Sequence, residues 1–148
     1  MRVKNSMETF RRKERSHFRT AFAFLLLLTV LFAAAPAQGG DYRARKKAGP
    51  YIVDVAINRN PPVLGVNEIR VDIRDGEGRS LTGARVSVNY SMPPMPGMVP
   101  MNYTVSALPY RSGYRAAMNF IMTGPWNIVV RFEAAGNHWR VVLPIDVR

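Results

Sequence analysis

Four methionines recur at every third position of the stretch MPPMPGMVPM: Met92, Met95, Met98 and Met101, with prolines between them. A thioether is a soft, neutral donor that suits Cu(I) and is avoided by hard cations. Spacing alone does not make a site. In polyproline II, three residues complete a turn and advance about 9 Å. Two sulphurs sharing one ion lie at most about 5 Å apart, given metal–sulphur bonds of about 2.3 Å. A straight segment would therefore offer a ladder of sulphurs and no chelate. Pro96-Gly97 changes the geometry, because proline at the second position and glycine at the third are what a type II turn requires. Such a turn brings the Cα atoms of Met95 and Met98 within about 7 Å. The candidate is a two-sulphur clip, with Met92, Met101 and His138 as the groups placed to complete it. Methionine is also a flexible gap filler, so a loop packed over one end of the fold is the competing reading.

The rest of the composition is sparse in chemistry. The chain has 148 residues and no cysteine, which removes disulfides, thiolate sites and a cysteine nucleophile. Of its two histidines, His17 falls in the leader and His138 is the only imidazole beyond it. Asp54, Asp72 and Asp146 fall on the polar parity of separate strands and Asp75 in a turn, so no paired acids or nucleophile–base set forms, and no enzyme is expected. The segment DGEG (75–78) has too few acidic ligands for a calcium loop. The two sequons at Asn89 and Asn102 are read as chance matches. The net charge is +11, but residues 1–40 hold seven Lys/Arg against two Glu (+5). Residues 41–148 hold fourteen against eight (+6), four of them in the cluster Arg43, Arg45, Lys46, Lys47. That leaves an ordinary solvated surface, without the interleaved aromatics or basic helix of a nucleic-acid binder.

The elements that must position the clip follow from charge and periodicity. A basic start, an apolar run from Ala21 to Ala35 and the small-x-small site Ala35-Pro36-Ala37 make residues 1–37 an export signal peptide or an uncleaved membrane anchor. In the second case residues 20–36 tether the chain to the inner membrane, and the low-edge length of the run leaves both outcomes open. Residues 38–50 read as a basic linker, and residues 51–148 as the exported domain. From Tyr51 onward apolar residues alternate with polar ones, the period of half-buried strands, interrupted by turn clusters such as NPPVLG, DGEG and TGPW. Runs begin near Tyr51, Ile69, Val86, Tyr114, Trp126 and Trp139, with a weaker one at Tyr103–Leu108. Trp126 and Trp139 take core parity. The expected fold is all-β: an antiparallel immunoglobulin-like β-sandwich of about seven strands.

Three segments, GVNEIRVDIRD, GARVSVNYSMPPMPGM and GYRAAMNFIMTGPWNIVVRF, resemble the YtkA-like/FixH-like family. The matching residues are Gly65, Asn67, Gly83-Ala84, Met92, Met95-Pro96-Gly97-Met98, Gly113-Tyr114, Met122, Gly124 and Trp126, within roughly Gly49 to Val147. The resemblance implies a small extracytoplasmic β-sandwich, periplasmic and often tethered, with a link in some relatives to copper delivery or haem-copper oxidase assembly. Two functional expectations stand. One is a domain that binds or relays Cu(I) through the Met-Pro-Gly-Met loop, with an oxidase-assembly or copper-transport component as partner. The other is a metal-free periplasmic domain whose Pro/Met loop docks a protein.

Overall fold

The computed structural model describes residues 40–148. The expected signal or anchor at residues 1–37, with His17, lies outside them. The described residues form eight strands and no helix. These are β1 (Tyr42–Ala48), β2 (Tyr51–Ile57), β3 (Gly65–Arg74), β4 (Val86–Ser91), β5 (Asn102–Tyr110), β6 (Gly113–Phe120), β7 (Gly124–Ala134) and β8 (Asn137–Val147). Alternation dictates the core: Val53, Val55 and Ile57 of β2 are buried, as are Ile69, Val71 and Ile73 of β3 and Trp126, Ile128, Val130 and Phe132 of β7. Their neighbours on the other parity face outward, so each strand contributes one apolar row to a common interior.

Hydrogen-bonded order is β1-β2-β3-β6-β5-β4-β7-β8, and every pairing is antiparallel. With β1 set aside, β2-β3-β6-β5 against β4-β7-β8 is the four-plus-three arrangement of an immunoglobulin-type sandwich. β5 serves both layers: Asn102–Ala107 pairs with β4, and Leu108–Tyr110 then pairs with β6. At the other seam β1 approaches β8, so the sheet is nearly closed. The all-β antiparallel expectation holds, with eight strands instead of about seven.

The added strand corrects the linker assignment. Residues 38–50 contain β1, which pairs with β2 along its whole length, from Tyr42↔Ile57 to Ala48↔Tyr51. Only Ala48 of β1 is buried, with Tyr42 and Ala44 half-buried, so its apolar row is too weak to register as alternation. Its charges hold it at an edge, where lysine and arginine also discourage pairing with other chains. Arg45 clasps the Asp54 carboxylate across the pair at 2.6 and 3.1 Å.

The connections fall at two ends. One end carries the β2–β3, β4–β5 and β6–β7 connections and the C-terminus; the β1–β2, β3–β4, β5–β6 and β7–β8 turns lie at the other. Two buried polar side chains fix long connections. The Asn67 amide bonds to Val63 N, Val63 O and Gly65 O at 2.7–3.1 Å, shaping the β2–β3 loop. The Tyr114 hydroxyl accepts from Ala84 N and donates to Leu81 O, pinning the β3–β4 connection to β6.

Candidate metal centre in the loop between β4 and β5

β4 and β5 continue past their last ladder pair, Ser91↔Asn102. Met92 N donates to Met101 O at 3.0 Å, which draws the loop into a neck. At its tip Met98 N donates to Met95 O at 3.2 Å. Gly97 has φ 76°, the left-handed value needed at the third position of a type II turn and open to glycine without strain. The predicted turn is therefore present, and Met95 and Met98 are its outer residues.

Neck and tip place their thioethers in different surroundings. Met92 is 8% exposed and belongs to the core cluster, while Met101 packs partly buried against it. Met95 and Met98 are 37% and 40% exposed. The turn chemistry sets Met95 and Met98 apart as the clip and leaves Met92 and Met101 as flanking donors; the fold adds that the flanking pair is packed and the clip accessible. Beneath the loop, Trp126 is enclosed by Tyr90, Tyr103 and Phe120, with ring centroids 5.1–6.4 Å away. Its indole N–H donates to Met122 O at 2.9 Å, so the β6–β7 connection is tied to the same floor. Gly124 has φ 110°, and a Cβ placed there would come within 3.3 Å of Met92 Cε. Met122 and Gly124 thus belong to the setting of this loop. In the sequence the resembling segment GYRAAMNFIMTGPW marks both, with the turn cluster TGPW pointing to Gly124 and core parity to Met122; Tyr103, in the weaker run, carried no signal of its own.

His138 is not part of this constellation. It pairs with Glu133 near the β7–β8 turn, whereas the β4–β5 loop begins beside Asn127. Six residues of extended strand separate Asn127 from Glu133, about 20 Å. The imidazole Nδ1 lies 3.6 Å from the Glu133 carboxylate, on an exposed surface at the opposite end. Parity correctly put His138 on the polar side, but strand direction sends it away from the methionines. Among the described residues no three His, Cys, Asp or Glu side chains gather as a metal site. The donors available at the loop are thioethers, a set matched to a soft monovalent ion and poorly suited to Zn(II), Ca(II) or Mg(II).

A family model described as YtkA-like matches residues 45–131, more than half of the chain. No curated protein and no solved structure matches it.

Proposed function

The chain belongs to the YtkA-like family, and we propose that it is an extracytoplasmic β-sandwich that binds Cu(I) as cargo through Met95 and Met98 and passes it to a protein partner. The observation that carries this reading is the closed Met95-Pro96-Gly97-Met98 turn with both side chains open to solvent. A turn holds two soft donors near one another at small entropic cost, and their exposure gives an incoming donor or acceptor access. Met101, partly buried at the neck, is the further thioether placed to join them, whereas Met92 is packed in the core and would join the ligand set only by leaving it. Binding and relay need no catalytic group, so the activity assigned is transfer and not turnover. Residues 1–37 would deliver the domain to the periplasmic side or hold it there. Haem-copper oxidase assembly and copper homeostasis are the processes such a carrier would serve.

The test is anaerobic Cu(I) titration of the protein against a chromophoric chelator. The parent should withdraw Cu(I) from the chelator, and Met95→Leu/Met98→Leu should lose that competition while keeping the parent's Tm, because leucine preserves apolar volume. Equal competition by both proteins would end the reading. One observation favours the metal-free alternative: Val99, beside the clip, is 83% exposed, so the tip also presents apolar surface to a protein partner. In that case leucine variants keep function in a complementation assay, whereas serine at the same positions removes it.

A further inference from the structure

Exposed apolar side chains scattered singly are ordinary; clustered ones mark a surface that something covers. Among the described residues ten large hydrophobic side chains are exposed, and Leu64, Val66, Met95, Met98, Val99, Tyr103 and Ile121 lie at the end that carries the methionine loop. They come from four separate places: the β2–β3 loop with the start of β3, the β4–β5 loop, the start of β5, and the β6–β7 connection. The other three, Ile52, Leu108 and Val142, are dispersed over the rest of the domain. Backbone bonds hold this end together, since Leu64 N donates to Arg148 O and Arg148 N to Pro62 O.

A second observation points to the occupant. Tyr42, the first residue of β1, pairs with Ile57, the last of β2, just before the β2–β3 loop. The chain therefore enters the domain from the same end. Only six residues (36–41) separate Tyr42 from the apolar run that closes at Ala35. Fully extended, they reach about 20 Å. Chain entry and apolar exposure coincide.

We infer that the methionine-loop end of the sandwich docks on a lipid bilayer surface, with Leu64, Val66, Val99 and Ile121 entering the interfacial layer. Tyr103 suits that depth, having an apolar ring and a polar tip. Interfacial burial of this kind is shallow, about 5–10 Å. Such docking puts the Met95/Met98 clip at the membrane surface, so cargo is exchanged with a membrane-embedded protein and not with one diffusing in the periplasm. The docking rests on residues 20–36 serving as the tether and is independent of copper; only the route of the cargo rests on the proposed function.

The chain has no cysteine, so single-cysteine spin labels report cleanly. Full chain retaining residues 1–37 is reconstituted in vesicles of phosphatidylethanolamine and phosphatidylglycerol, labelled at Val66→Cys, Val99→Cys, Ile121→Cys, Leu108→Cys or Val142→Cys. The first three labels should be several-fold less accessible to an aqueous nickel chelate than the last two, and more accessible to oxygen dissolved in the lipid. Introducing Val66→Asp/Ile121→Asp should restore chelate access at position 99. Equal accessibility at all five positions overturns the inference and leaves the apolar end to a protein partner. Copper titration and label accessibility succeed or fail separately, so loss of one reading is not mistaken for loss of the other.

Discussion

At the end of the sandwich away from the methionine loop, exposed side chains are organised by charge. Arg79 meets Asp75 at 2.9 Å and Glu77 at 3.0 Å, and Glu133 lies between Arg85 at 3.8 Å and His138 at 3.6 Å. At the loop end seven large apolar side chains are exposed beside the Arg148–Asp146 ion pair at 3.5 Å, and the connections are held by backbone bonds, the buried Asn67 amide and an aromatic floor. Solvated ion pairs contribute little to stability, and they need no partner. Exposed methionine, valine and isoleucine carry a cost in water that contact would relieve. One scaffold thus bears one end finished for solvent and one end finished for an encounter.

The neck and tip of the loop repeat that contrast on a smaller scale and give the largest expected effect on stability. Met92→Ala should destabilise the domain by about 2–3 kcal/mol, the lower part of the range for truncating a buried methionine. In a domain of this size that amounts to a fall in Tm of roughly 8–20 °C. Met95→Ala/Met98→Ala should stay within about 0.5 kcal/mol of the parent, as surface changes do. Thermal unfolding of the two variants measures both. Equal losses would mean that tip and neck are one packed unit, and the distinction on which the clip depends would disappear.

A smaller effect is expected from Gly124→Ala. The residue sits at φ 110°, where a side chain is strained, and its Cβ would press Met92 Cε from 3.3 Å. The backbone term costs about 1–2 kcal/mol, and the flexible methionine can give way. If the crowding adds to it, Met92→Ala should partly rescue Gly124→Ala in a double-mutant cycle. Strict additivity would show that the glycine serves its own backbone and not the neck.

How much of this was readable beforehand differs by element. Strands whose inward residues are large, such as β3 with Ile69, Val71 and Ile73, announce themselves through alternation. β1 does not, because its inward row is Tyr42, Ala44 and a lysine before Ala48, and its identity comes from pairing with β2. The Met95–Met98 turn was legible because proline and glycine encode it locally. Two things were not. The split between neck and tip depends on β7 supplying Gly124 and Trp126 beneath Met92, a contact made across the sheet. The separation of His138 from the loop depends on which way β7 runs, and parity along a strand carries no information about direction along the sandwich.

The smallest effect belongs to the charged end and concerns acid. The Asp75 carboxylate accepts from the Arg79 guanidinium and from the Arg79 and Glu77 backbone N–H groups, with bonds of 2.9–3.0 Å. Led by the Arg79 side-chain bond, these contacts hold it below the usual carboxylate range despite an opposing cost of burial. A carboxyl whose pKa is lower folded than unfolded binds its proton more readily in the unfolded chain. It therefore stabilises the fold at pH values above its unfolded pKa, and that contribution fades as pH falls through the folded value. Asp54 is depressed in the same direction, chiefly by its bond from Arg45. Between about pH 5 and pH 2 the parent's Tm should fall, and Asp75→Asn should fall less over the same range. Asparagine keeps an acceptor for the turn but cannot titrate. Met95→Leu/Met98→Leu should follow the parent at every pH, since nothing at the tip of the loop carries a proton. A flattened acid limb in the leucine variant would show that the two ends are coupled through the core, and the contrast between them would have to be abandoned.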